Sequence, residues 1–192
     1  MSTASALDPP RYPGDLAMWL FILAELLVFG VFFLAYAFAR QHHLALFEQG
    51  QAGLNPLTGV VHTVALLSGG YAVVRAVAAI RCGQSQCCAR WMWGAVACGA
   101  VFASVKLAEL GAVFAAGISL STDLFYMFYL SLSGFHFLHV LLGMVMLGYV
   151  ALKAGRGGYD ARAHDGVETV ASYWHMVDLV WVVLFPLLYL LR

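Results

Sequence analysis

Five long stretches of this chain carry almost no polar residue, and short polar segments separate them. They run over residues 16–39, 57–80, 91–114, 124–152 and 170–191. About 20 apolar residues suffice to cross the hydrocarbon of a bilayer as a helix. The pattern therefore predicts an all-α integral membrane protein. Five transmembrane helices form one membrane domain over residues 1–192, behind a polar segment over residues 1–15. The separating segments hold the Gly, Pro, Ser and charges that turns favour. The fourth stretch exceeds what the hydrocarbon needs, so that helix should tilt or protrude. Pro186 should kink the fifth near its outer end, with neighbours taking up the freed carbonyls.

Composition agrees with the pattern. The chain is 62% apolar and 10% charged, where a soluble domain has about 25% charged residues. Its mean hydropathy is +0.83. A formal net charge of zero gives no reason to expect a nucleic-acid partner. The residues before Gly14 are polar and lack the apolar core of a secretory signal, so the first helix should act as its own insertion signal. Charge sets the orientation. Arg11, Arg81, Arg90, Lys153, Arg156 and Arg162 fall on one side, with Arg75 close by, and Arg40 and Arg192 on the other. The excess places the N-terminus in the cytoplasm and the C-terminus in the periplasm, as for a multi-pass protein of the bacterial inner membrane.

Several ionisable residues lie inside the apolar stretches: Glu25, His62, Lys106, Glu109, His136, His139, His175 and Asp178. A charge near the bilayer centre costs about 2.5–3.5 kcal/mol on insertion scales, so these groups should face one another, water or a partner. Lys106 and Glu109 are three apart, as are His175 and Asp178, and each pair can meet on its own helix. Helical rise brings Glu25, His136, His139, His175 and Asp178 toward one level, inner to middle. Lys106, Glu109 and His62 form an outer set. Gly134 and Gly143 flank the two histidines of the fourth helix and leave room for a neighbour.

Each motif has a plain reading beside a functional one. His175 with Asp178 reads first as interhelical glue, and Lys106 with Glu109 as a neutralised buried pair. Glu25 has no opposite charge within one turn, so packing and function stay equally open there. A di-iron bundle needs Glu-x-x-His on two helices and two further Glu, and this chain has neither the order nor the acids. A bis-histidine haem needs two imidazoles from facing helices at one depth, which His139 with His175 could offer. A proton path through Glu25 and the histidines is a further alternative, without the inverted repeat of a transporter. Cys82, Cys87 and Cys88 have no zinc spacing and should be free thiols, with Cys98 in the core.

The two histidine motifs carry a resemblance. Gly134-Phe135-His136-Phe137-Leu138-His139-Val140, and residues 168–183 with Tyr173-Trp174-His175-Met176-Val177-Asp178-Leu179-Val180-Trp181, resemble subunit III of the haem-copper oxidase superfamily. Leu23-Ala24-Glu25-Leu26-Leu27-Val28-Phe29, Asn55-Pro56-Leu57 and Lys106-Leu107-Ala108-Glu109 follow in the family's order. The likeness covers residues 14–192. Pro13-Gly14-Asp15-Leu16-Ala17-Met18-Trp19, Ser121-Thr122-Asp123 and Phe185-Pro186-Leu187 resemble the five-helix nitric oxide reductase accessory branch, with subunit III of quinol oxidases the nearest other relative. His62 departs from the pattern, since relatives often have Asn there.

The resemblance implies a subunit III-like bundle with no redox centre and no cofactor of its own. The haem and metal would sit in a partner, the catalytic subunit. It implies an accessory, non-catalytic subunit of a respiratory complex, with nitric oxide reductase of denitrification as the expected partner. The alternative is an oxygen-reducing cytochrome c or quinol oxidase. Glu25 becomes the candidate proton-responsive residue, and His136, His139, His175 and Asp178 an internal polar lock. Membrane lipids would be the other neighbours.

Overall fold

The computed structural model describes residues 15–191; the expectations that rest on Arg11, the N-terminal segment and Arg192 lie outside them. Six helices follow in order: α1 Leu16–His42, α2 Leu44–Ala52, α3 Pro56–Arg81, α4 Ser85–Ala115, α5 Leu124–Gly155 and α6 Asp165–Phe185. A π-helical turn, Pro186–Leu190, continues α6. There is no strand among the described residues. Five of the helices, all but α2, are long and apolar enough to cross a membrane.

Capping side chains set where these helices begin. The Asp15 carboxylate accepts the Ala17 N–H, Asn55 Oδ1 accepts that of Leu57 just past Pro56, and Asp123 Oδ1 accepts that of Tyr126. Each satisfies a first-turn N–H that the helix cannot pair itself. Gly83 and Gly157, both with φ above +70°, turn the chain after α3 and α5.

The helix ends differ from the hydrophobic boundaries. α4 starts at Ser85 rather than 91, so Cys87 and Cys88 belong to its first turn. α6 starts at Asp165 rather than 170, and α1 runs on through Arg40 to His42. Polar first and last turns protrude beyond the apolar part of a helix, and hydropathy does not register them.

The fold is a ring of four helices, α3, α4, α5 and α6, each packed on the next, with α1 laid outside against α5 and α6. The ring closes on Trp174 of α6. Its indole is fully buried and rests against glycines on all three other helices. A Cβ on Gly69, Gly99 or Gly143 would stand 3.2, 3.1 or 2.9 Å from it. Small residues at these points let the helices close in, as transmembrane packing requires. Gly134 does not share this role, since nothing lies within 4 Å of where its Cβ would be.

The segment between the first two spans holds α2. Its Phe47 is buried edge-on to Tyr36 of α1 and Phe125 of α5. Gly50 lies flat on the Phe125 ring.

Candidate functional site

Glu25 on α1 meets His139 on α5. The carboxylate Oε2 lies 3.1 Å from the imidazole Nε2. The approach is close but not aligned as a hydrogen bond, and Oε2 is buried without another partner. His139 Nδ1–H donates to the Phe135 carbonyl at 2.8 Å, a contact within one turn of α5. That bond fixes the tautomer. A neutral His139 then presents Nε2 to Glu25 as an acceptor. Phe29 and Phe135 close around the pair with ring centroids 5.4 and 4.7 Å from the imidazole.

His136, one turn away on the same face of α5, has a different task. Its Nε2–H donates to the Val177 carbonyl of α6 at 3.1 Å. The ring is fully buried among Phe29, Phe102 and Trp181. His62 of α3 lies on the other side of Phe102 and Trp181, with centroids 4.7 and 5.3 Å away. Both nitrogens of His62 are buried with no protein partner.

A second assembly is built around Lys106. Its side chain is fully buried in the bundle, and Nζ lies 2.9 Å from Glu109 Oε2. Two tyrosines complete the cage. Nζ donates to Tyr129 Oη and Tyr189 Oη at 3.3 and 3.4 Å, and sits 4.9 Å from the Tyr129 ring centroid. Tyr189 in turn donates to Glu109 Oε1 at 2.7 Å. A charged ammonium in this setting needs both its counter-ion and its hydrogen bonds. The sequence pattern pointed to the ion pair, but it gave no sign of the tyrosines. One comes from α5 and the other from the π-helical turn, so only the tertiary fold brings them in.

His175 and Asp178 stand apart from the other two assemblies. Asp178 Oδ2 lies 3.7 Å from His175 Nδ1, beyond hydrogen-bond reach, and is pressed against Gly70 of α3. The carboxyl is buried, whereas the His175 side chain is 43% exposed on the outside of α6. So the expected single cluster divides. Glu25 and His139 form the α1–α5 seam, and His175 and Asp178 form the α3–α6 edge. His139 faces α1 and His175 lies beside α3. Among the described residues, no group of three or more His, Cys, Asp or Glu side chains comes together to hold a metal.

A further polar node had no signal in the sequence. The Leu187 carbonyl in the π-helical turn accepts from Tyr36 Oη at 3.1 Å and from Gln51 Nε2 at 3.0 Å. Leu187 lies in the last turn, where carbonyls have no intrahelical donor, and the sequence does not tell which side chains take this one. The cysteines are free thiols: Cys82 is exposed, Cys87 and Cys98 are partly buried, and Cys88 is buried.

Residues 14–191 match the sequence model of cytochrome c oxidase subunit III. The chain belongs to that family. It is 32% identical over 193 residues to cytochrome c oxidase subunit 3 of Thermostichus vulcanus, covering 98% of this chain and 94% of the relative. It is 28% identical over 192 residues to a probable quinol oxidase subunit 3 of Staphylococcus epidermidis, covering 98% and 95%. It is also 29% identical over 180 residues to a haem-copper oxidase subunit I+III of Aeropyrum pernix, covering 91% of this chain and 22% of that longer protein. With its five spans, this subunit III family member is a multi-pass protein of the bacterial inner membrane.

Proposed function

We propose that the chain is the non-catalytic third subunit of an oxygen-reducing haem-copper oxidase, packed in the membrane against the catalytic subunit that holds the haem and metal. Family membership carries this reading. The Aeropyrum pernix relative, named as subunits I and III in one polypeptide, supports a catalytic-subunit partner. The relatives are named as cytochrome c and quinol oxidases, which favours oxygen over the nitric oxide reductase expected from the five-helix resemblance. An accessory role is supported by the interior polar groups that are engaged within the chain itself. Lys106 is taken by Glu109 and two tyrosines, His136 by a backbone carbonyl, and His139 by Glu25. Within this reading, Glu25 with His139 is the proton-responsive carboxylate, and the end bearing Arg81, Arg90, Arg156 and Arg162 faces the cytoplasm.

The test is purification of the whole chain from native membranes in mild detergent. Mass spectrometry, haem spectra, and oxygen and nitric oxide consumption are then measured. An oxygen-consuming complex with a haem-copper catalytic subunit is expected. Co-purification with a nitric oxide reductase would return the reading to denitrification. A colourless chain with no haem-copper partner would overturn it.

A further inference from the structure

His62 of α3 is fully buried, and neither of its ring nitrogens meets a protein donor or acceptor. A neutral imidazole carries one N–H and one lone pair, and a protonated one carries two N–H groups. In every form both nitrogens call for partners, and burial without them costs the full desolvation of each group. The side chains packed on the ring supply none. Phe102 offers only carbon. Trp181 Nε1–H donates to Thr63 Oγ1 at 2.9 Å, and that hydroxyl donates in turn to the Gly59 carbonyl at 2.8 Å.

The Lys106 cage lies in the next layer of the bundle. On α4, Lys106 is one turn past Phe102, whose ring centroid is 4.7 Å from that of His62. On α3, Gly59 is one turn before His62, and a Cβ there would stand 3.3 Å from the Tyr189 ring. One helical turn rises about 5.4 Å. Two hydrogen bonds that meet at one oxygen span about 5.5 Å. Within the cage, the carboxylate has capacity to spare. The N–H groups of Lys106 already have Glu109 Oε2, Tyr129 Oη and Tyr189 Oη as acceptors. Glu109 accepts from Lys106 and Tyr189, and a carboxylate offers about four lone-pair sites.

Water has a way to that carboxylate. A cleft of about 330 Å³ opens between the start of α3 and the end of α4, lined by Asn55, Thr58, Val105, Ala108, Glu109 and Ala112. A molecule of liquid water takes about 30 Å³, so the cleft has room for several. Thr58 is one turn before His62, and Val105 is one turn past Phe102, so the cleft begins one turn from the buried ring on both helices. Buried waters persist where they bond polar groups that otherwise lack partners.

We propose that His62 holds internal water that joins its ring to the Glu109 carboxylate and is drawn from the cleft between α3 and α4. The water donates to Glu109 and fills a ring nitrogen of His62. The cage is built from side chains of α4, α5 and the π-helical turn, and through this water it gains one from α3.

The test is water-edited solid-state NMR on the whole chain in lipid bilayers, with isotope-labelled histidine and tryptophan. The His62 signal is identified by its loss in His62→Asn or His62→Gln. Polarisation from water should reach the His62 ring several-fold faster than it reaches Trp181 Nε1, whose hydrogen-bond partner is Thr63. Ala108→Phe, which sets a ring in the cleft from an exposed position, should slow the transfer to His62 several-fold and leave Trp181 unchanged. Transfer to His62 no faster than to Trp181 Nε1 would overturn the inference. So would rapid transfer that Ala108→Phe leaves unchanged, because the water would then come from elsewhere.

Discussion

Glu25 Oε2 and His139 Nε2 approach to 3.1 Å and join the outlying helix α1 to the ring at α5. The bond from His139 Nδ1 to the Phe135 carbonyl leaves Nε2 turned to Glu25. Glu25→Gln still offers an N–H to that nitrogen and should change stability little. Glu25→Leu leaves it buried and unpaired, at a cost of about 1–3 kcal/mol. Thermal unfolding of the two variants in one detergent separates them. Equal losses would mean that the carboxylate acts only by filling space.

Lys106 gives a sharper contrast. Glu109→Ala removes its counter-ion and should destabilise the protein by about 3–5 kcal/mol. Lys106→Met with Glu109→Leu removes both charges and should recover most of that loss. Unfolding midpoints of the single and double variants, combined as a cycle, measure the coupling.

Trp174 and its glycines predict position-specific overpacking. Gly143→Leu drives a side chain into the indole and should cost about 1–3 kcal/mol or more. Gly134→Ala, on the same helix, meets nothing within 4 Å and should be neutral or stabilise by up to about 1 kcal/mol. Intrinsic fluorescence during thermal unfolding reports both.

Outside the membrane, Asp160 Oδ1 accepts the backbone N–H groups of Arg162 and Ala163, each at 2.7 Å. These bonds hold its carboxyl below the ordinary value of 3.8, and the group is fully exposed. A depressed folded-state pKa stabilises the turn above the unfolded value, and that contribution is lost as pH falls through the folded one. The turn should therefore be intact at neutral pH and loosen only below about pH 4. Amide shifts of Arg162 and Ala163 should titrate together there in the wild type and be flat in Asp160→Ala.

The five spans were legible because each is a continuous apolar run, and in a bilayer length and composition nearly decide the matter. The pairing of Lys106 with Glu109 was legible because three-residue spacing puts both on one face. Depth arithmetic set Glu25 and His139 at one level, and the fold joins them. The same arithmetic set His175 there too, yet it points outward, because rise along an axis says nothing about which neighbour a residue faces. Helix α2 was invisible, since nine residues with Glu48 and Gln51 show no apolar run, and they are held by the burial of Phe47. The burial of Trp174 was not legible either. Gly69, Gly99 and Gly143 sit on three separate helices, and only packing makes them neighbours of one indole.

The way α1 is held bears on how the protein is made. Asp15 reaches Thr169, Glu25 reaches His139, Tyr36 reaches the Leu187 carbonyl and Arg40 that of Leu191. Each of these partners is translated more than 100 residues after the α1 residue it meets. Helix α1 must therefore wait in lipid, with Glu25 unpaired until α5 is made, before α6 arrives to complete its docking. A nascent chain stalled before residue 139 would leave that helix open to capture by insertion chaperones or membrane proteases.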